Sequence, residues 1–279
     1  MITKGKLQKI VSMTQYYVVA VILALIVGVP FFWMVITSLK SRGAMMSIPV
    51  EWIPKEPSLD SYRSLFGIPN FGLSILNSFY LAVVCTVVNL LCAAMAAFAL
   101  TKIPFKGQKV VFSLYLTAMM LPAQVTFIPL FIIMAKLGLT NSLNALVLFQ
   151  LFNATSIFML RQHMKTIDKS YMEAAVIDGA GLWYIFWRII LPLCSTALAT
   201  LSILSFMNSW NDYLLPLVLL SDRAKATLPI ILSSMSGQYR TQYNIMMAGA
   251  LLSIIPILIV YLCVQKHFKS GLTAGGVKG

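Results

Sequence analysis

Six apolar runs, each long enough to cross a bilayer as a helix, constrain this chain more than anything else in it. They lie at about residues 17–39, 74–100, 110–135, 141–160, 193–220 and 244–264. About 20 helical residues span a hydrocarbon core about 30 Å thick. Lipid offers backbone N–H and C=O groups no partner, so a crossing segment must be a helix, or a strand in a closed barrel. The runs lack the period-two alternation that barrel strands show. The expected fold is therefore an all-α membrane protein with six transmembrane helices. Composition agrees. Of the 279 residues, 59% are hydrophobic and 10% charged, against roughly a quarter charged in soluble chains. That leaves too little polar surface to cover a water-facing globule.

The net charge of +13 would suggest a nucleic-acid partner if it lay on one soluble face, but the basic residues punctuate the apolar runs instead. Read as topology, thirteen lysines and arginines fall on the side of both termini and eight on the other. The short 102–109 loop and the tail after Val264 hold no acid, whereas Glu51, Glu56 and Asp60 dilute the first loop on the opposite side. Positive-inside reasoning puts both termini in the cytoplasm of a multi-pass inner-membrane protein. The first run is too long for a signal-peptide core and reads as a retained span. Cys85, Cys92, Cys194 and Cys263 lie in or beside apolar runs without metal-ligand spacing. They read as small residues packed between helices, supporting neither a disulfide framework nor a zinc site.

Two loops exceed what a hairpin needs. The outer one, 40–73, is rich in proline and glycine. The inner one, from Arg161 to about residue 190, holds almost all the acid on its side. Within it, Ser170 followed by Glu173 has the spacing of a capping box, which predicts a short helix from 171 to about 178. Gly179 supplies a left-handed position to end that helix. Ala174 and Ala175 leave it a smooth face for a partner. A second helical stretch, 182–190, places Trp183, Phe186 and Trp187 at the membrane boundary, and Pro192 opens the next span.

Glu173, Ala174, Ala175, Asp178 and Gly179, followed by Ile189, Leu191 and Pro192, closely resemble the EAA signature of importer-type ABC permeases. Asn77-Ser78, Pro104-Phe105-Lys106-Gly107, Met119-Met120-Leu121-Pro122, Trp210-Asn211-Asp212-Tyr213 and the glycine-rich ending at 271–279 are similar to the carbohydrate-uptake branch, in particular to the maltose-transporter G-subunit family. The resemblance implies a type I ABC importer permease fold. An N-terminal part at 1–70 would hold a cytoplasmic segment, the first span and the first outer loop. The permease core would be 71–265, with the EAA coupling loop at about 161–190, and a cytoplasmic tail would fill 266–279. It also implies partners: a second, homologous permease, two ATP-binding subunits that carry ATP and Mg, and an external sugar-binding protein. The eight EAA-loop residues named above would couple to the ATPase. The chain has no G-x-x-x-x-G-K-[ST] phosphate loop, and it reads as a transport subunit, not an enzyme, with no cofactor or metal of its own.

Asp212 is the one carboxylate inside an apolar run, and such residues are functional candidates by default. Its place near the outer end of the fifth run, between Trp210 and Tyr213, favours a structural role. Asn89, Gln124, Gln150, Asn153 and Asn208 fit either a polar pathway or interhelical hydrogen bonds, and their spacing singles out no substrate site. Pro122, Pro129 and Pro256 fall inside runs, where they can kink a helix. His163 and His267 read as solvated interfacial residues. The alternative functions are a permease for glycerol phosphate or a polyol, and an ion-coupled secondary carrier. The latter would need intramembrane charges, and a single carboxylate near the surface is thin support for it.

Overall fold

The computed structural model describes residues 4–41, 51–151, 153–235 and 242–265. The tail at 266–279 with His267, the 42–50 part of the outer loop and Arg240 lie outside them. In chain order the helices are α1 (Lys4–Ser38), α2 (Asp60–Phe66), α3 (Phe71–Lys102), α4 (Gln108–Met119), α5 (Ala123–Lys136), α6 (Leu143–Gln150), α7 (Ala154–Thr166) and α8 (Ser170–Ile177). Then come α9 (Leu182–Tyr184), a π-helical turn at Ile185–Ile190, α10 (Leu191–Leu193), α11 (Ser195–Trp210), α12 (Leu214–Leu219), a 3-10 turn at Arg223–Lys225, α13 (Leu228–Ser234) and α14 (Tyr243–Val264). No strand occurs among the described residues.

Four helical stretches are each long and apolar enough to cross a membrane: Ser12–Ser38, Phe71–Lys102, Leu143–Thr166 and Tyr243–Val264. Two bent pairs raise the number to six if each is one span. The third run, expected to be continuous over 110–135, turns by 107° between Gln108–Met119 and Gln124–Lys136. Pro122 causes the break. It has no N–H to give, and it sits extended at φ −60°, ψ 130°. The fifth run likewise departs from expectation. Its helix α11 ends at Trp210, and α12 starts afresh after Asn211, Asp212 and Tyr213. Asn211 Nδ2 donates to the Met207 carbonyl of the last α11 turn at 2.9 Å. Asp212 Oδ1 accepts the Leu215 N–H of α12 at 3.3 Å. Side chains that satisfy helix-end groups in this way compete with continuation of the helix.

The chain forms two compact units, Met1–Pro69 with Ser234–Ser253 and Asn70–Ser233 with Ile254–Gly279. In the first, Asn244 Nδ2 donates to Ser61 Oγ at 3.1 Å. Ser38 Oγ and Tyr62 OH lie 3.0 Å apart, and the ammonium of Lys40 sits 4.6 Å from the centre of the Trp33 ring.

In the second unit α3 is the central post. Ala93, Ala94, Ala97 and Phe98 pack with Ile157, Leu160 and Met164 of α7 and with Ile185, Phe186 and Ile190 of the π turn. The alanines let backbones approach closely, which is how membrane helices associate when lipid is as apolar as they are. Asn89 ties three helices together, its Nδ2 lying 3.2 Å from Ser156 Oγ and 3.1 Å from Ser205 Oγ. A second cluster joins Leu81 and Cys85 of α3 to α5, α6 and α12. Cys85 and Cys194 are buried, Cys92 is half-buried and Cys263 is exposed, all four as free thiols.

Arg161, assigned to the inner loop from sequence, is instead buried within α7. Its Nε donates to Leu100 O at 3.2 Å, and its guanidinium stacks 3.5 Å over the centre of the Phe112 ring. Those two contacts let a charge stay inside the bundle, so the connecting loop begins only after Thr166.

Candidate functional site

Two regions of the second unit carry chemistry. The first is the elbow between α7 and α11. Lys102 Nζ donates to Ile167 O at 2.8 Å and pins the start of the elbow to the end of α3. Asp168 Oδ1 then accepts the Ser170 N–H at 2.8 Å. That hydrogen bond, with the Ser170 hydroxyl adding to it, holds the Asp168 carboxyl below its ordinary range. Asp168 thus holds the first turn from one residue before the cap position, Lys169, which makes no side-chain cap bond, and the expected Ser170–Glu173 box does not form. The helix starts early enough to put Ser170 inside its first turn, where its hydroxyl is misplaced to cap. The Glu173 side chain, relieved of that role, is exposed.

Gly179 closes α8 at φ +79°. Its N–H reaches Val176 O at 3.0 Å and the Ala180 N–H reaches Ala175 O at 2.9 Å, the paired bonds of a Schellman motif. The result is a short helix stopped hard at both ends. Ala175 faces the core at 7% exposure while Ile177 stands out at 85%. Tyr171, Glu173, Ala174 and Asp178 are exposed with Ile177. Ile189 and Leu191 pack on the core cluster beside Ala175, and Pro192 is exposed. The eight residues singled out from sequence therefore divide into an outward set and an anchoring set. Phe186, expected at the membrane boundary, is 1% exposed and rests on Phe98 with ring centres 5.3 Å apart. Trp183 and Trp187 remain exposed.

The π turn at Ile185–Ile190 precedes Pro192. Proline gives no N–H to the carbonyl four residues back and crowds it, and a widened turn relieves that crowding. Between Leu182–Leu193 and Ser195–Trp210 the axis then bends by 77°. Cys194, at the corner, is fully buried.

The second region is a cleft of about 830 Å³ whose polar wall includes Gln124, Gln150, Asn153, Asn208, Asn211 and Asp212. Three chain breaks meet there. Gln124 follows Pro122, Gln150 and Asn153 flank the gap between α6 and α7, and Asn208 to Asp212 bracket the end of α11. Of the five amides that sequence left undecided, four line this cleft, and Asn89 alone is a tie between helices. Phe127, Phe149 and Tyr213 add ring faces to it. Phe127 and Phe149 were not picked out from sequence, and Asn211 and Tyr213 entered there only through the Trp210–Tyr213 resemblance and the flank of Asp212. The available signal was the position of every amide within three residues of a helix break. Asp212 does two things at once, capping α12 and facing the cleft.

A short outward helix, a bent connection and a polar cleft among broken spans match a known type of membrane subunit. The model of the family described as binding-protein-dependent transport system inner membrane component matches residues 89–273. The chain belongs to this family. The arabinooligosaccharides transport system permease protein of Halalkalibacterium halodurans is 35% identical to it, over 92% of this chain and 93% of that one. The sulfoquinovosyl glycerol transport system permease protein of Agrobacterium fabrum is 32% identical, over 90% and 88%. Among solved structures, a chain of a bacterial ABC transporter involved in import of the acidic polysaccharide alginate superposes with a TM-score of 0.82 at 26% identity, over 96% and 99% of the two chains. This permease therefore has the fold expected from its EAA loop.

Proposed function

We propose that this chain is one of two permease subunits of an ATP-driven, binding-protein-dependent importer of a saccharide, with both termini and α8 on the cytoplasmic side. The observation that carries the reading is α8 itself. It presents Tyr171, Glu173, Ala174 and Ile177 outward and is capped at both ends. It joins, through the π turn, the helix α11 that lines the polar cleft. A partner ATPase gripping the exposed face of α8 would bind ATP and Mg, and this chain would supply the lever. Because Ala175, Ile185, Phe186 and Ile190 are locked into the core with α3 and α7, a displacement of α8 moves packed helices and not a loose loop. Alternating access is such rigid rocking about a site between helices. An external binding protein would deliver the sugar, as the family description implies. The saccharide class follows from the oligosaccharide-transporting relatives together with the amide-rich cleft.

Glu173→Lys tests the reading. The wrong charge at a docking surface costs several kcal/mol, so uptake should fall about a hundredfold in proteoliposomes holding the full complex. Wild-type uptake together with wild-type sugar-stimulated ATP hydrolysis would refute it.

A further inference from the structure

Two cavities of opposite chemistry adjoin at the end of α3. The first is a groove of about 270 Å³, with Met95, Phe98, Ala99 and Ile103 on one wall and Leu182, Trp183 and Phe186 of the elbow on the other. None of these side chains carries a charge, and only the indole N–H of Trp183 is polar. The second cavity holds about 400 Å³. Its walls include Lys102 of α3, Lys165 in the last turn of α7, Lys169, and Glu173 of α8. Lys102 follows Phe98 and Ala99 by four and three residues. That helical spacing puts it on the groove's own face, one turn further along. The apolar groove therefore runs toward the basic cavity.

Charge decides what the second cavity takes. Three ammonium groups share it with one carboxylate, and the 102–109 loop beside it adds Lys106 and Lys109 and no acid. Lys165 and Lys169 are exposed and make no hydrogen bond or ion pair among the described residues. Lys102 gives one of its three N–H groups to Ile167 O and keeps two. Asp168 is engaged with the Ser170 N–H. Basic pockets between helices on the cytoplasmic side suit lipid phosphates, and a tryptophan beside lysines marks headgroup depth. A soluble phosphate would leave the groove empty, and a lipid without net charge would leave the ammonium groups unmatched. Resting on the cytoplasmic placement of α8 given above, we propose that the pair of cavities holds one anionic phospholipid of the inner leaflet. Its phosphate lies over Lys102, Lys165 and Lys169, and part of one acyl chain fills the groove. Of the outward face of α8, only Glu173 borders this site, so the lipid leaves the rest of that face open to an ATPase.

The test uses the complete importer in phosphatidylcholine nanodiscs. These are doped with a trace of phosphatidylglycerol or of phosphatidylcholine that carries a photoactivatable diazirine in one acyl chain. Labelled peptides are mapped by mass spectrometry and normalised to the total label on the complex. Phosphatidylglycerol should label 95–103 and 182–186 about tenfold more than phosphatidylcholine does, the scale expected when several lysines hold an anionic headgroup. Lys165→Gln with Lys169→Gln should bring that ratio close to one, while the phosphatidylcholine label persists and shows the groove intact. Lys165→Arg with Lys169→Arg should keep the preference. Millimolar inorganic phosphate should leave the label in place. Equal labelling by the two lipids in the unsubstituted complex, the result expected if the ATPase fills the cavity, would overturn the proposal. So would a preference that survives the glutamine pair, or displacement by inorganic phosphate, which would assign the cavity to a soluble anion. Labelling needs neither sugar nor ATP turnover, and a nanodisc offers both leaflets the same lipids, so the outcome does not depend on which side α8 occupies. Failure of the permease reading would appear instead as missing ATP hydrolysis in the same particles.

Discussion

The elbow and the cleft are built on opposite principles. Apart from Lys102, which pins the Ile167 carbonyl from α3, the residues that shape the elbow lie within one contiguous stretch, from Asp168 through Gly179 to Pro192. The cleft takes Gln124, Gln150 and Asn208 from three segments, α5, α6 and α11, that meet only because α6 and α11 pack on α3 and α5 packs on α12. A local device can be read from spacing, because helix caps and left-handed stops act over a few residues. A pathway assembled from separate breaks has no spacing to read.

The sharpest test of that contrast is on adjacent alanines. Ala174 is exposed and Ala175 is buried. Ala174→Trp should leave thermal unfolding of the purified permease unchanged and cut uptake about tenfold, the scale of an overpacked contact. Ala175→Trp should lower the unfolding temperature itself. If both variants behave alike, α8 does not have the two faces described here. Next comes Gly179→Ala. No atom lies within 4 Å of the added Cβ, so the effect is purely conformational at φ +79°. A cost of about 1–2 kcal/mol is expected, localised to the elbow and seen as faster hydrogen exchange at 170–180.

Asn89 and Asn208 carry the comparison into the membrane with one residue type. Asn89→Leu strands two hydroxyls and should destabilise the bundle by about 1 kcal/mol in detergent unfolding. Asn208→Leu, at an exposed position, should stay within about 0.5 kcal/mol. Equal losses would mean that the cleft amides are ties as well. The smallest effect concerns pH. The carboxyl of Asp168 is depressed in the folded elbow, so its contribution is complete above the unfolded value of 3.8 and is lost as pH falls through the lower folded value. Exchange at Ser170 should therefore quicken relative to neighbouring helices only below that value, and Asp168→Asn should remove the dependence.

Much of the architecture is legible in the sequence. Apolar length fixed a helical membrane protein with up to six crossings, because a backbone in lipid has so few ways to satisfy itself. Gly179 ended α8 as its chemistry demands. Other local readings failed for local reasons. The spacing of Ser170 and Glu173 suggests a capping box that the Asp168–Ser170 hydrogen bond makes unnecessary. The third run read as straight because one proline in an apolar stretch does not announce whether it will kink a helix or, as Pro122 does, turn the chain by 107°.

Sequence alone thus determined what the chain dissolves in, that it crosses as helices, and where a stiff helical knuckle stands, since each follows from the solvation and sterics of neighbouring residues. Only the tertiary structure decided which amides tie helices and which face a cavity. That choice depends on what each amide meets across the bundle: Ser156 and Ser205 for Asn89, and open space for Asn208.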